Sequence, residues 1–296
     1  MKKVIHIRKT EPVVLQCTDL VFCQKPYWCN ATRYQLKLSI LHPRMFFSYD
    51  EKVKKQPCIV FLAGGGWTEV DHNVWLPELV YYVKHGYIVA SVSYSLPATW
   101  FFREMLTDIK QSIRYLRAHA EEWNIDPERI AVMGESAGGH LAAMTAVTGG
   151  MEEYESGDYL DQSSEVKAAV CFYPAVDMYH FAAPGTGDFP DQSLLRGHLQ
   201  PQSVAAGVPY LKEYPELGRE MDPRTFIQSH TPPFLILHGS DDSQVPEQHS
   251  ELLYQKLIES GVHADFYEIQ DVDHADAAFI QPEVKDLVLD FLRNNL

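Results

Sequence analysis

The sequence predicts an α/β fold: a mostly parallel central sheet of about eight strands, helices on both faces and a small cap insertion. Short continuous apolar runs recur at residues 58–62, 87–92, 130–133, 168–172 and 234–237. Strands covered on both faces read this way, without polar alternation. Amphipathic stretches lie between the runs. The chain has 296 residues, 46% of them hydrophobic, enough for one large core, so a single domain over 1–296 is expected.

The elements follow in order. Tyr34, Leu36, Leu38 and Ile40 alternate with polar residues, the period of a half-buried antiparallel strand ahead of the parallel set. Leu106, Ile109, Ile113, Leu116 and Ala120 recur at helical spacing and give one apolar stripe to face the sheet. Further helical patterns cover 136–148, 247–259 and 283–294, and 264–269 reads as a last strand. The stretch 177–222 breaks the rhythm. It is rich in Pro, Gly and aromatics, as at 181–185 and 208–210, and is too long for a plain connection. It is read as a small cap over the sheet's C-terminal edge, where binding loops gather.

Composition excludes several classes. The net charge is −15 with no basic block, which argues against nucleic acid and anionic membrane surfaces as partners. No apolar run approaches the roughly 18 residues of a membrane span. The N-terminal Met1 to Arg8 has a positive end without an apolar core after it, so no secretory signal is read and a cytoplasmic protein is expected. Cys17, Cys23 and Cys29 lack CxxC spacing and the total of 5 cysteines is odd. Reduced thiols are expected, with a Cys23–Cys29 bridge as the alternative. No metal-binding motif or dinucleotide fingerprint occurs, so no cofactor is expected.

The chemistry is carried by Gly134-Glu135-Ser136-Ala137-Gly138-Gly139, directly after the apolar run 130–133 and before a helical pattern. A serine in this G-x-S-x-G form sits on a tight strand-to-helix turn, flanked by small residues because bulkier ones would collide. Its hydroxyl becomes nucleophilic only when a base, held by a carboxylate, removes the proton. On such a fold the acid and then the histidine follow on loops after later strands. Asp241 and Asp242 follow the run 234–237, and His274 follows the last strand. Asp242 is favoured, because an aspartate beside a glycine turn, as Asp241 is, usually caps the turn or faces solvent. His238 is read as satisfying loop backbone groups, and His249 and His263 as helix-surface and turn residues. Gly64-Gly65-Gly66-Trp67 leaves the first buried strand and lets backbone N–H groups, with that of Ala137, approach a substrate oxyanion. A phosphate loop would need a Lys-Ser/Thr ending that is missing here.

These motifs in this order, together with Asn124 to Met133 before the elbow and Asp222-Pro223 before the acid-bearing strand, resemble the α/β-hydrolase superfamily. The chain from Leu36 onward is most similar to the esterases grouped with carboxylesterases, acetyl-xylan esterases and feruloyl esterases. The resemblance implies an α/β-hydrolase fold, Ser136 as nucleophile, Asp242 as acid, His274 as base, and Gly65, Gly66 and Ala137 as oxyanion donors. It implies a serine esterase acting on short acyl (acetyl) or feruloyl esters of a small-molecule or oligosaccharide substrate, through an acyl-enzyme. A peptidase, an arylformamidase and an inactive ligand-binding receptor are the alternatives, and a homo-oligomer is possible. Two departures stand out. The family usually has His before the glycines, bracing the loop, where this chain has Ala63. It often has Tyr-Arg where this chain has Tyr94-Ser95, a change expected to remove a buried ion pair. Trp67, Trp100, Phe101 and Phe102 fall on loops expected to border the serine, as substrate-binding walls or equally as core plugs.

Overall fold

The computed structural model describes residues 2–43, 54–97, 99–179, 201–208 and 211–296. Strands β1 (Val14–Tyr27), β2 (Thr32–Pro43), β3 (Gln56–Leu62), β4 (Ile88–Val92), β5 (Ile125–Glu135), β6 (Ala168–Phe172), β7 (Phe234–Gly239) and β8 (Ala264–Ile269) form one sheet in the order β1-β2-β4-β3-β5-β6-β7-β8. β1 and β2 pair antiparallel, as do β2 and β4, and the pairings from β4 through β8 are parallel. The continuous apolar runs thus sit in the interior of the sheet. Side chains alternate across it: Cys58, Val60 and Leu62 face one core layer, while Ile59 and Phe61 face the other.

Helices α2 (Phe102–Ala118), α3 (Ala137–Val147) and α6 (Gln248–Glu259) cover the first face. Helices α1 (Leu76–Lys84) and α7 (Pro282–Asn295) cover the second. The stripe on α2 is fully buried at Leu106, Ile109, Ile113 and Leu116. After β3 the chain turns to β4 on one side, and after β4 it crosses to β5 on the other. The C-terminal ends of β3 and β5 therefore flank a topological switch point, where open α/β sheets place their ligands.

Between β6 and β7 the described chain forms two short helices, α4 (Pro201–Ala206) and α5 (Pro215–Glu220). Residues 180–200 and 209–210, on which much of the cap expectation rests, lie outside the described residues. The five cysteines are free, so the Cys23–Cys29 alternative does not hold.

The expected loss of a buried ion pair beside Tyr94-Ser95 is corrected by the N-terminal hairpin. Lys25, on β1, places its ammonium 2.5 Å from Asp108, a side chain 2% exposed. The same ammonium donates to the Ser95 hydroxyl at 2.9 Å, and the Ser95 amide donates to the other Asp108 oxygen at 3.0 Å. The short serine leaves room for a cation arriving from an edge strand far away in sequence.

Candidate active site

The turn between β5 and α3 is built around close backbone contacts. Ser136 has φ 54° and ψ −123°, a strained conformation for a side-chain-bearing residue. It is held by its amide donating to Phe172 O at 3.0 Å and its carbonyl accepting from the His140 amide at 3.0 Å. A Cβ on Gly138 would lie 2.1 Å from Leu62 O, and one on Gly134 would lie 2.2 Å from Gly138 O. Those distances are why the flanking residues are glycine: the helix start must pass directly over the ends of β3 and β5.

The structure brings Ser136, His274 and Asp242 together. Ser136 Oγ lies 3.0 Å from His274 Nε2, and His274 Nδ1 lies 2.7 Å from Asp242 Oδ2. With the Nδ1 proton donated to the carboxylate, Nε2 presents a lone pair to the serine hydroxyl, the arrangement a general base needs. Asp242 is 7% exposed. Its second oxygen accepts from the amides of Gln244 at 2.9 Å and Val245 at 2.7 Å. Burial works against its ionisation, but hydrogen bonds from His238, His274 and Val245 outweigh that and hold the carboxyl well below its usual range. Asp242 is therefore an anion aimed at the imidazole. Asp241 is exposed and, among the described residues, its side chain accepts only from the Ser240 hydroxyl, at 3.2 Å.

Three residues outside the expected set support this arrangement. Asp273 accepts from the amides of Ser243 at 2.8 Å and His274 at 2.7 Å, tying the acid loop to the base loop. Tyr173 packs edge-on against the His274 ring, centroids 4.6 Å apart. His238 is fully buried, with Nε2 2.9 Å from Val245 O and 3.1 Å from Asp242 Oδ2. An Asp-Val-Asp-His sequence signals the first; nothing in the local pattern signals Tyr173. His249 is a correction, being 6% exposed rather than a helix-surface residue. Its Nδ1 accepts from the amides of Val176 and Asp177 at 3.0 Å each, and burial brings its pKa down to about 4.

The amides of Gly65, Gly66 and Ala137 have no hydrogen-bond partner among the described residues, and they flank the serine from β3 and α3. Gly65 has φ +132° and a Cβ there would lie 2.1 Å from Glu69 O, so this turn also requires glycine. Trp67 proves to be a core plug rather than a substrate wall. It is 3% exposed and its indole N–H donates to His140 Nδ1 at 3.1 Å. His140 Nε2 in turn donates to Met221 O at 2.7 Å, and burial lowers this histidine to about 4. Trp100 packs on Tyr34 and Tyr27, centroids 4.8 and 5.7 Å away, under Lys25, and so binds the N-terminal hairpin to the start of α2. Phe102 is buried against His140. Phe101 alone of the four is substantially open, at 40% exposed, with its ring against Gly207 after α4.

A doubly wound sheet carrying a serine, a histidine and an aspartate in this relation at its switch point defines an α/β-hydrolase. The chain belongs to the BD-FAE family, whose profile matches residues 46–257. Among curated proteins it is 27% identical over 207 residues to the probable carboxylic ester hydrolase LipM of Mycobacterium tuberculosis, covering 68% of this chain and 44% of that protein. It is 26% identical to Esterase LipQ of the same organism, covering 81% of this chain and 55% of that one. The chain thus spans about half the length of the curated relatives it matches. Among solved structures it resembles a truncated carbohydrate esterase from gut microbiota, with TM-score 0.79, 23% identity, and 97% and 98% of the two chains covered. It also resembles an acetyl ester-xyloside bifunctional hydrolase from Caldicellulosiruptor lactoaceticus, with TM-score 0.71, 24% identity, and 93% and 94% covered. These likenesses establish the fold. Among the described residues no helix is long and apolar enough to cross a membrane.

Proposed function

We propose that this chain is a carboxylic ester hydrolase that works through a serine acyl-enzyme. The observation that carries the reading is the hydrogen-bonded line from Ser136 Oγ through His274 to Asp242, at 3.0 and 2.7 Å. His274 Nε2 takes the Ser136 proton as Oγ attacks the ester carbonyl carbon. The carbonyl oxygen becomes an oxyanion and is met by the amides of Gly65, Gly66 and Ala137, each such donor contributing about 2.7–4 kcal/mol. The imidazolium, steadied by Asp242, gives its proton to the leaving alcohol as the carbon–oxygen bond breaks. Water, deprotonated by the same nitrogen, then attacks the acyl-enzyme and releases the acid and the free serine.

The substrate reading is short acyl (acetyl) or feruloyl esters on carbohydrate. Its support is the company the chain keeps: structural neighbours described as a carbohydrate esterase and an acetyl ester-xyloside hydrolase, and partial similarity to an endo-1,4-beta-xylanase B of Butyrivibrio fibrisolvens. Phe101 and the adjoining α4 supply the open wall for an acyl or sugar group. The test is hydrolysis of p-nitrophenyl acetate, acetylated xylo-oligosaccharides and methyl ferulate by wild type and by Ser136→Ala. Wild type hydrolyses at least the acetyl esters, and the variant loses more than about 10⁴-fold in kcat. Equal rates in the two proteins overturn the mechanism; hydrolysis confined to amides or formamides overturns the substrate class.

A further inference from the structure

The loop that supplies the oxyanion donors lacks the bracing histidine of similar esterases, because Ala63 stands in its place. It is nevertheless pinned at three points. The Tyr94 hydroxyl donates to Ala63 O at 2.8 Å. The Trp67 indole is held by His140 at 3.1 Å. Between them, the Gly64 amide donates to Oε1 of Glu135, the residue immediately before the nucleophile. The Trp75 indole donates to the same oxygen at 3.1 Å. Glu135 is partly buried, and burial raises its carboxyl above the usual range even though the bonds from Gly64, Trp75 and Tyr173 draw it down.

The geometry points to Glu135 as the positioning residue of the oxyanion loop, deepening the esterase reading on which it rests. Its carboxylate turns the Gly64 N–H inward, away from the substrate. Because successive amides along a tight turn are fixed by one another's backbone angles, that anchor sets where the free amides of Gly65 and Gly66 aim. A Cβ at Gly64 would lie 2.7 Å from Glu135 Oε2, so a side chain there would push the carboxylate off the loop. The nucleophile and its oxyanion hole are thereby joined through adjacent residues: Ser136 and Glu135 share a peptide bond, and any shift of the elbow carries the loop with it. Glu135 serves the loop in this role as an acceptor rather than a charge, because the Gly64 amide and the Trp75 indole meet a single oxygen, while the Tyr173 hydroxyl donates to the same carboxyl and fixes it from the side of His274.

The test compares Glu135→Leu, Glu135→Asp and Glu135→Gln on p-nitrophenyl acetate, with urea unfolding for each. The loop's aim matters only once the oxyanion forms, so Glu135→Leu loses on the order of 100-fold in kcat with KM little changed. Affinity for a short-chain trifluoromethyl ketone, whose serine adduct carries the oxyanion, falls by the same factor as kcat/KM. Glu135→Asp, shorter by a methylene yet still charged, shows a smaller loss with the same pattern and remains informative if the leucine variant does not fold. Glu135→Gln keeps an oxygen for Gly64 and Trp75, turns its amide to the Tyr173 hydroxyl, which can accept as well as donate, and retains near wild-type kcat. Wild-type kcat in Glu135→Asp, a loss confined to KM, or a glutamine variant as weak as the leucine one would each overturn the assignment. Failure of the esterase reading is distinguishable, because wild type would then hydrolyse no ester at all.

Discussion

Replacing Lys25 with methionine tests how an edge hairpin supports the interior. The Lys25–Asp108 pair lies at 2.5 Å, with the lysine side chain 17% and the aspartate 2% exposed. At an effective dielectric near 20, a pair at that distance attracts by about 6–7 kcal/mol, most of it offset by the cost of drying both ions. Removing the cation alone leaves that drying cost on Asp108 without compensation, and such changes cost about 3–5 kcal/mol. Burial already raises the Asp108 carboxyl, while Lys25 lowers it. Without Lys25 the carboxyl rises further, so the penalty is largest at neutral pH and shrinks as acidification protonates it. With an m-value of about 3 kcal/mol/M in urea, the midpoint at pH 7 falls by about 1–1.7 M. Tryptophan fluorescence in urea at pH 7 and pH 5 measures both terms. The double variant Lys25→Met, Asp108→Leu regains most of the loss, and Ser95→Arg added to Lys25→Met restores a cation from the loop after β4. A midpoint change equivalent to less than about 1 kcal/mol, or a penalty independent of pH, refutes the reasoning.

Three further outcomes follow from the geometry. His140 and His249 are held down to about 4 by burial, against about 6.5 for a free imidazole. Both are neutral in the fold, so their contribution is full above pH 6.5 and is lost as pH falls toward 4, by about 3 kcal/mol each. His249→Asn, which keeps an acceptor for the Val176 and Asp177 amides, should lose about 2–3 kcal/mol less between pH 7 and pH 4.5 in urea titrations. Asp242→Asn should lower kcat by about 10⁴-fold by turning the imidazole to the wrong tautomer, while Asp241→Asn stays within about twofold in the same assay. Gly138→Ala puts a methyl 2.1 Å from Leu62 O, so it should cost more than about 3 kcal/mol in unfolding experiments or fail to give soluble protein.

The parallel strands were legible because burial on both faces leaves an unbroken apolar run, and β3, β4, β6 and β7 are buried along most of their length. β1 was not, because bulges between Cys17 and Leu20 and between Val21 and Cys23 break the alternation of a mostly exposed edge strand. α1 could have been found from Leu76, Leu79, Tyr82 and Val83 with proline at the first turn. The residues of the serine line were legible because each sits in a short motif directly after a strand. Trp67 could not be assigned from sequence, since a loop aromatic reads the same whether it lines a pocket or plugs a core. The Lys25–Asp108 pair and the contact of Gly64 with Glu135 join residues far apart in the chain. Neither follows from local pattern, and the ion pair shows how a departure at Ser95 is compensated by a distant strand.

The most direct measurement is covalent capture of the nucleophile by a fluorophosphonate, read by intact mass and then by peptide mapping. One equivalent adds per chain, on the peptide bearing Ser136, and the rate collapses in His274→Ala, because Nε2 at 3.0 Å is what frees the hydroxyl to react. Labelling at another serine, or labelling of Ser136 at the same rate without His274, would contradict the account.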